Sequence, residues 1–176
     1  MSSSDDQRLR LYGDLIVRVG LNLQPGQRLL VIGPLASGGA SIEAAPLVRQ
    51  VAASAYRAGA PLVEVLWGDD ALQLVRFRDA PRESFEETSA WLVGALVGHA
   101  QAGHAVLSVY ANDPDLLRDC PSSLVSTLDR AHSRAVRPFR ELISRNQTNW
   151  AVVAAAGSGW AARVFPELPP DQRVPR

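Results

Sequence analysis

Apolar residues recur at three- and four-residue spacing through Leu47, Val48, Val51, Ala52, Ala55 and Tyr56, which places them on one face of a helix. Gly59 follows the last periodic position, where a helix end takes a left-handed residue. The run LVEVLW at 62–67 is short, mostly apolar and rich in branched and aromatic side chains, so it reads as a buried strand. RLLVI at 28–32 reads as another strand ahead of the helix. Strand, helix and strand in that order predict a parallel pair.

The same pattern extends along the chain. Tyr12, Leu15, Ile16 and Val19 mark a first helix that ends near Gly20, after an acidic start at Asp5 and Asp6. Asp69 and Asp70 are placed to cap a helix over about 70–79. Pro81 opens a further helix whose buried face is Phe85, Leu92, Val93, Leu96, Val97 and Ala100. AVLSVY at 105–110 is a third strand. Leu124, Leu128, Ala131, Ala135, Phe139 and Leu142 carry a long helical period to about residue 145, and Pro138 should kink or split it. WAVVAA at 150–155 is a fourth strand. The prolines from Pro166 onward predict an irregular tail over 169–176.

Four strands separated by helices predict an α/β fold, a doubly wound and mostly parallel four-stranded sheet with helices on both faces. Right-handed crossovers and one reversal give the order 2-1-3-4. The reversal predicts a crevice near residues 33–39 and 110–113. A length of 176 residues fits one domain, here 1–168.

Composition narrows the partners. Eighteen basic residues, all arginine, balance eighteen acidic ones. A net charge of zero argues against nucleic acid or an anionic membrane surface as the main partner, because both need clustered positive charge. No apolar run approaches the roughly 20 residues that span a bilayer. The opening MSSSDDQRLR lacks the apolar stretch of a secretory signal, so a cytoplasmic location is the default expectation. Cys120 is the only cysteine and cannot form an internal disulfide.

Candidate chemistry is sparse. GPLASGGAS at 33–41 has phosphate-loop glycine spacing, but Gly39 and Ala40 stand where lysine and a hydroxyl residue are required, so it reads as a connector. Gly157-Ser158-Gly159-Trp160-Ala161-Ala162 fits the dinucleotide fingerprint G-x-G-x-x-A, without the second strand and acidic residue that complete it. His99, His104 and His132 fit no zinc motif, although Asp129 and His132 could share a helix face. Ser37, Ser41 and Ser158 lack a nucleophile-elbow context. Arg134, Arg137 and Arg140 form a row at three-residue steps on one helix. No catalytic, cofactor-binding or metal-ligating residue is therefore assigned. Trp160 and Phe165 beside the last helix predict an exposed apolar patch there.

Five segments taken together carry a resemblance: residues 12–31 (YGDLIVRVGLNLQPGQRLLV), 43–60 (EAAPLVRQVAASAYRAGA), 91–100 (WLVGALVGHA), 112–117 (NDPDLL) and 149–168 (NWAVVAAAGSGWAARVFPEL). In order and spacing the chain, from about residue 8 to 168, resembles the N-terminal domain of the aminopeptidase T / aminopeptidase S metallopeptidases. Gly157-Ser158-Gly159 departs from the proline-containing turn usual there. The resemblance implies a longer enzyme that removes N-terminal residues from peptides with two divalent metals, commonly zinc, cobalt or magnesium. It also implies that the metal ligands belong to a C-terminal catalytic domain that no part of this chain matches. The expectation is an N-terminal domain or fragment, inactive alone, with the missing domain or a second copy (a homodimer) as partner. The alternative is a stand-alone α/β module that binds a small ligand or another protein.

Overall fold

A computed structural model describes residues 3–34 and 39–174. Its centre is β1, Leu29–Ile32, which is buried along its whole length. Side chains alternate across a strand. Leu29 and Val31 enter one apolar cluster, and Leu30 and Ile32 enter another on the opposite face. β1 pairs in parallel with β3, Val63–Val65, and with β5, Ala105–Tyr110. β5 pairs in parallel with β6, Trp150–Ala154. The sheet order β3-β1-β5-β6 is the expected 2-1-3-4, and every pair in it is parallel.

Helices cover both faces, as a parallel sheet requires. On one face lie α1, Ser3–Leu15, and α2, Ala45–Arg57. Leu47, Val48, Val51 and Ala55 of α2 pack there with Leu29, Val31, Leu107 and Val109 of the sheet. α2 ends as its sequence demands: Gly59 has φ +95°, and the Ala60 and Gly59 amides donate to the carbonyls of Ala55 and Tyr56. On the other face, Leu96 and Ala100 of α4, Ala90–Gln101, and Phe139 of α6, Arg137–Ser144, cover Leu30, Ile32 and Val106.

Five local expectations meet a more detailed structure: four change, and the break expected at Pro138 is borne out. First, α1 runs into a π-helical turn at Ile16–Gly20, and Ile16 and Val17 are buried while Leu15 and Val19 are exposed. The packed stripe is Leu9, Tyr12, Gly13, Ile16 and Val17: Tyr12 and Ile16 pack as expected, while Leu15 and Val19 give way to Gly13, which carries no apolar signal, and Val17. Second, the run 62–67 is not one buried strand. β3 is the half-buried sheet edge, and Trp67–Gly68 (β4) pairs in parallel with Ala40–Ser41 (β2) as a separate two-stranded sheet. Leu66 makes the switch: its amide donates to Val31, and its carbonyl accepts from Ala40.

Third, the helix expected from Pro81 is a 3-10 turn at Arg82–Glu86 followed by α4. Phe85 holds that turn against α3, Asp70–Asp79; it is fully buried, edge-on to Phe77, with the Arg76 guanidinium over its ring. Fourth, the long helix splits at Val136 into α5, Ser122–Ala135, and α6, with Pro138 in the first turn of α6, where its missing N–H costs nothing. Fifth, the tail expected to be irregular over 169–176 contains a one-turn helix, α8, at Pro170–Arg173, again started by a proline. It follows α7, Ser158–Val164.

α1 and α2 cross at Gly13. A Cβ there would stand 3.0 Å from the Gln50 carbonyl carbon and 3.1 Å from its Cβ. Gly13→Val should therefore cost about 1–3 kcal/mol of stability, with Gly13→Ala costing less. Urea denaturation with an unchanged m-value checks this, and a neutral Gly13→Val would show that the two helices separate freely.

Candidate functional site

The carboxyl ends of the strands are where open α/β sheets bind ligands. A cleft of about 630 Å³ opens there beyond β1 and β3, within the size range of small-molecule sites. Its walls are mostly apolar, with Leu66, Leu72 and Val75, Leu92 and Leu96 of α4, and Leu128 and Val136, and Arg76, Asp79 and Glu87 add charge to the lining. It lies to one side of the crevice expected near 33–39 and 110–113. Gly33 and Gly39 reach its edge, whereas the β5 side is tied off. There the Asn112 amide donates to Asp70 Oδ1 (3.1 Å) and the Asp113 backbone N–H to Asp70 Oδ2 (3.3 Å). Asp69 caps α3 as expected, accepting from the amides of Ala71 and Leu72.

His132 is the titratable group that sequence reading undervalued. It lies one turn beyond Leu128 on α5 and lines the cleft. Its Nε2 is buried and has no hydrogen-bond partner among the described residues. Burial holds its pKa below the ordinary histidine value, and the positive field of Arg140 adds to that; Asp129 opposes it only in part. Asp129 itself is exposed and forms no ion pair with His132 among the described residues. His99 and His104 lie at the opposite end of the sheet. His99 Nε2 is 3.0 Å from the Ala105 carbonyl, and His104 Nδ1 accepts from the Arg28 amide. Desolvation also lowers the His99 pKa.

The two glycine-rich motifs are packing devices. Leu35–Gly38 lie outside the described residues, and Ser37 with them. At the loop ends, a Cβ on Gly33 would meet the Gly39 carbonyl oxygen at 1.8 Å, and one on Gly39 would meet the backbone of Trp67 at 2.5 Å. Backbone lies on backbone, which only glycine permits. The dinucleotide pattern at 157–162 is filled from within. The Glu43 carboxylate accepts from the Ser158 backbone N–H and from its hydroxyl, both at 2.6 Å, where a pyrophosphate would otherwise approach. Added Cβ atoms on Gly157 and Gly159 would meet the Ala111 carbonyl at 2.3 Å and the Asp113 carboxyl carbon at 2.5 Å. Ser158 is thus engaged, and Ser41 is buried, its hydroxyl accepting from the Glu43 amide. Arg134 belongs to α5 and Arg137 and Arg140 to α6, so the expected arginine row on one helix is split; Arg137 pairs with Glu141 at 2.9 Å.

Metal chemistry is tested by the donors. Among the described residues, no group of three or more His, Cys, Asp or Glu side chains could hold an ion. The arrangement can take up an apolar group against one imidazole; it does not assemble a nucleophile, a general base and an oxyanion site.

Two predictions follow from this chemistry. Replacing Glu43 by Gln removes a charge-assisted pair and should lower stability by about 1–2 kcal/mol, with faster amide exchange at Ser158. The histidines give the chain a pH dependence. The folded state disfavours protonated His99 and His132, so below about pH 6.5 the unfolded chain binds more protons, and stability falls as pH drops toward the folded pKa values. His132→Gln and His99→Gln should each flatten that fall in thermal melts; an unchanged slope in both would contradict the assignment.

The sequence profile of the thermophilic metalloprotease (M29) family matches residues 5–176. The chain is 36% identical over 169 residues to Aminopeptidase 2 of Geobacillus stearothermophilus, a match covering 96% of this chain and 39% of that protein. It is 38% identical over 170 residues to Aminopeptidase T of Thermus thermophilus, covering 97% and 40%. The solved structure described as wild-type AmpT from Thermus thermophilus superposes with a TM-score of 0.88 at 38% identity, over 97% of this chain and 41% of that one. The chain thus spans about two-fifths of the length of these relatives.

Proposed function

The chain belongs to the thermophilic metalloprotease (M29) family, and on that premise we propose that it serves as the N-terminal domain, residues 1–168, of a metal-dependent aminopeptidase. The carrying observation is the coverage: nearly all of this chain matches, but only about 40% of each relative does. In this reading the substrate is a peptide from which N-terminal residues are removed. The two divalent ions, zinc, cobalt or magnesium, are held by residues of a companion catalytic domain outside this match. The donor set here does not fit such a centre, so no chemical step is assigned to these residues. The domain's part is to cover the substrate entrance and to dock the companion domain or a second copy. No described helix is long and apolar enough to cross a membrane, and the reading is of a cytoplasmic protein.

All four tryptophans support a docking role. Trp67, Trp91, Trp150 and Trp160 are 42%, 73%, 42% and 41% exposed, although tryptophan is on average a well-buried residue. Val164 is exposed and Phe165 half-buried beside Trp160, in keeping with the apolar patch expected at the last helix.

One observation favours a second reading. The 630 Å³ cleft with its imidazole suits a stand-alone module that binds a small apolar ligand. The two readings separate on activity and metal. The purified chain, incubated with cobalt or zinc and a leucyl chromogenic substrate, is expected to show no turnover above its chelated control. Calorimetry is expected to show no tight zinc binding. Metal-dependent turnover that survives removal of contaminating peptidases would overturn the assignment of the chemistry to a companion domain.

A further inference from the structure

The two faces of the sheet are covered unequally. On the α1–α2 face every strand is packed, and Ala151, Val153 and Ala155 lean into the core from β6 and its end. On the α4–α6 face the packed cluster draws on β1 and β5 and contains no residue of β6. The alternate residues of β6 are therefore bare: Trp150 is 42% exposed and Val152 is 54% exposed, with Tyr110 of β5 beside them at 42%. Between this strip and α6 runs a groove of about 370 Å³, floored by Val106, Ser108 and Val152 and walled by Phe139 and Ile143. A parallel sheet is stable only with both faces covered. Here the cover stops one strand short.

We propose that this groove is the seat of an amphipathic helix supplied by the part of the family chain that lies outside the match. The proposal rests on the reading of this chain as one domain of a longer aminopeptidase. Three observations select that occupant. The first is that the bare surface is a face, and helices are what cover the faces of parallel sheets. A strand added along the edge of β6 fits less well, because residues of this chain already reach that edge. The Tyr12 hydroxyl donates to the Ala154 carbonyl at 3.1 Å, and a Cβ added to Gly20 in the π-turn would stand 3.8 Å from the Ala151 side chain. The second is charge. Arg140 stands on the groove wall and forms no ion pair among the described residues, which calls for a carboxylate on the rim of the incoming helix. The third is supply. The match covers 41% of the solved relative, so most of that chain remains to provide a helix.

A second copy is the poorer occupant. The groove is concave, and the chain's exposed apolar helix residues are scattered over α1 (Leu11, Leu15), α2 (Tyr56), α3 (Leu72, Val75), α4 (Trp91) and α7 (Trp160, Val164) rather than gathered on one helix face that could fill it. Seating them here would join unlike surfaces, a head-to-tail contact that need not close.

The test joins this chain, in one polypeptide, to the portion of Thermus thermophilus Aminopeptidase T outside the match. Hydroxyl-radical footprinting then reads Trp150 in the fusion and in the 176-residue chain. Trp150 should be labelled readily in the chain alone and lose most of that label in the fusion, and Val152→Glu should restore it. In the chain alone Val152→Glu should leave the melting temperature and the monomeric elution unchanged, because the groove is bare there. Equal labelling of Trp150 in both proteins overturns the proposal, as does a dimer of the chain alone that Val152→Glu splits, which would assign the groove to a second copy. A fusion whose parts do not form one folded body also counts against it. Leucyl-substrate turnover separates this idea from the one beneath it. Turnover with Trp150 still open sinks the groove and keeps the aminopeptidase reading, whereas a protected Trp150 without metal-dependent turnover keeps the groove and sinks that reading.

Discussion

β1 is buried on both faces and hydrogen-bonded on both edges, and that condition sets the requirements for everything around it. Four consecutive apolar residues in a central parallel strand need one apolar layer for Leu29 and Val31 and another for Leu30 and Ile32. The first layer is supplied by α2, α1 and the π-turn that follows it, and α1 crosses α2 closely at Gly13. The second is supplied by α4 and α6. Polar groups lock the first layer at its rim. Ser54 is buried on α2 and donates to Asp14 at 2.6 Å, and Arg57 reaches the same carboxylate at 2.9 Å. These bonds hold the Asp14 carboxyl below the usual aspartate range. Helix placement on that face is thereby fixed in register as well as in depth.

The loops above the sheet obey a different rule. Their glycines lie where two backbones touch, and their polar side chains are spent on one another: Glu43 on Ser158, Asp70 on Asn112 and Asp113, Asp115 on Arg118 and Arg163. A phosphate loop or a hydrolase site needs such groups pointed at a ligand. Here they close the top of the domain, and the remaining opening is mostly apolar, with the unpartnered His132 imidazole among its polar lining residues. Such a surface offers shape and contact, in keeping with the covering role proposed for the domain.

The sequence made the architecture legible because buried parallel strands are continuous apolar runs. β1 and β5 stand out for that reason, β6 is as apolar in sequence although its alternate residues are exposed, and right-handed crossovers left one natural order for them. Breaks were legible where proline or glycine caused them, at Pro138 and Gly59. What stayed hidden depended on contacts between distant segments. The split of 62–67 into β3 and β4 is imposed by Ala40, which takes Leu66's carbonyl and draws Trp67 into a second pairing. The displacement of the cleft follows from Asp70 capturing Asn112 and Asp113 across 42 and 43 residues of sequence. His132 shares a stripe with Leu128, and only the packed structure shows that this stripe borders an opening. The family resemblance reached further than single residues did, because it draws on the order and spacing of segments along nearly the whole chain.

The exposed tryptophans connect the packing to that wider context. Fully burying a large apolar side chain is worth about 1.5–3 kcal/mol, so leaving four such residues substantially open forgoes several kcal/mol, against a typical domain stability of about 5–15 kcal/mol. A chain that had to stand alone would gain by exchanging them for polar residues. One that docks against a companion recovers the same free energy on assembly, and binding to the folded state alone then raises its stability by linkage. The two-layered core around β1 is separate from the exposed apolar residues over β6 and on α3, α4 and α7, which are the surfaces a companion would cover under the proposed function. If the chain docks as proposed, folding and docking draw on different sets of apolar residues, so the core around β1 does not depend on the groups a companion would cover.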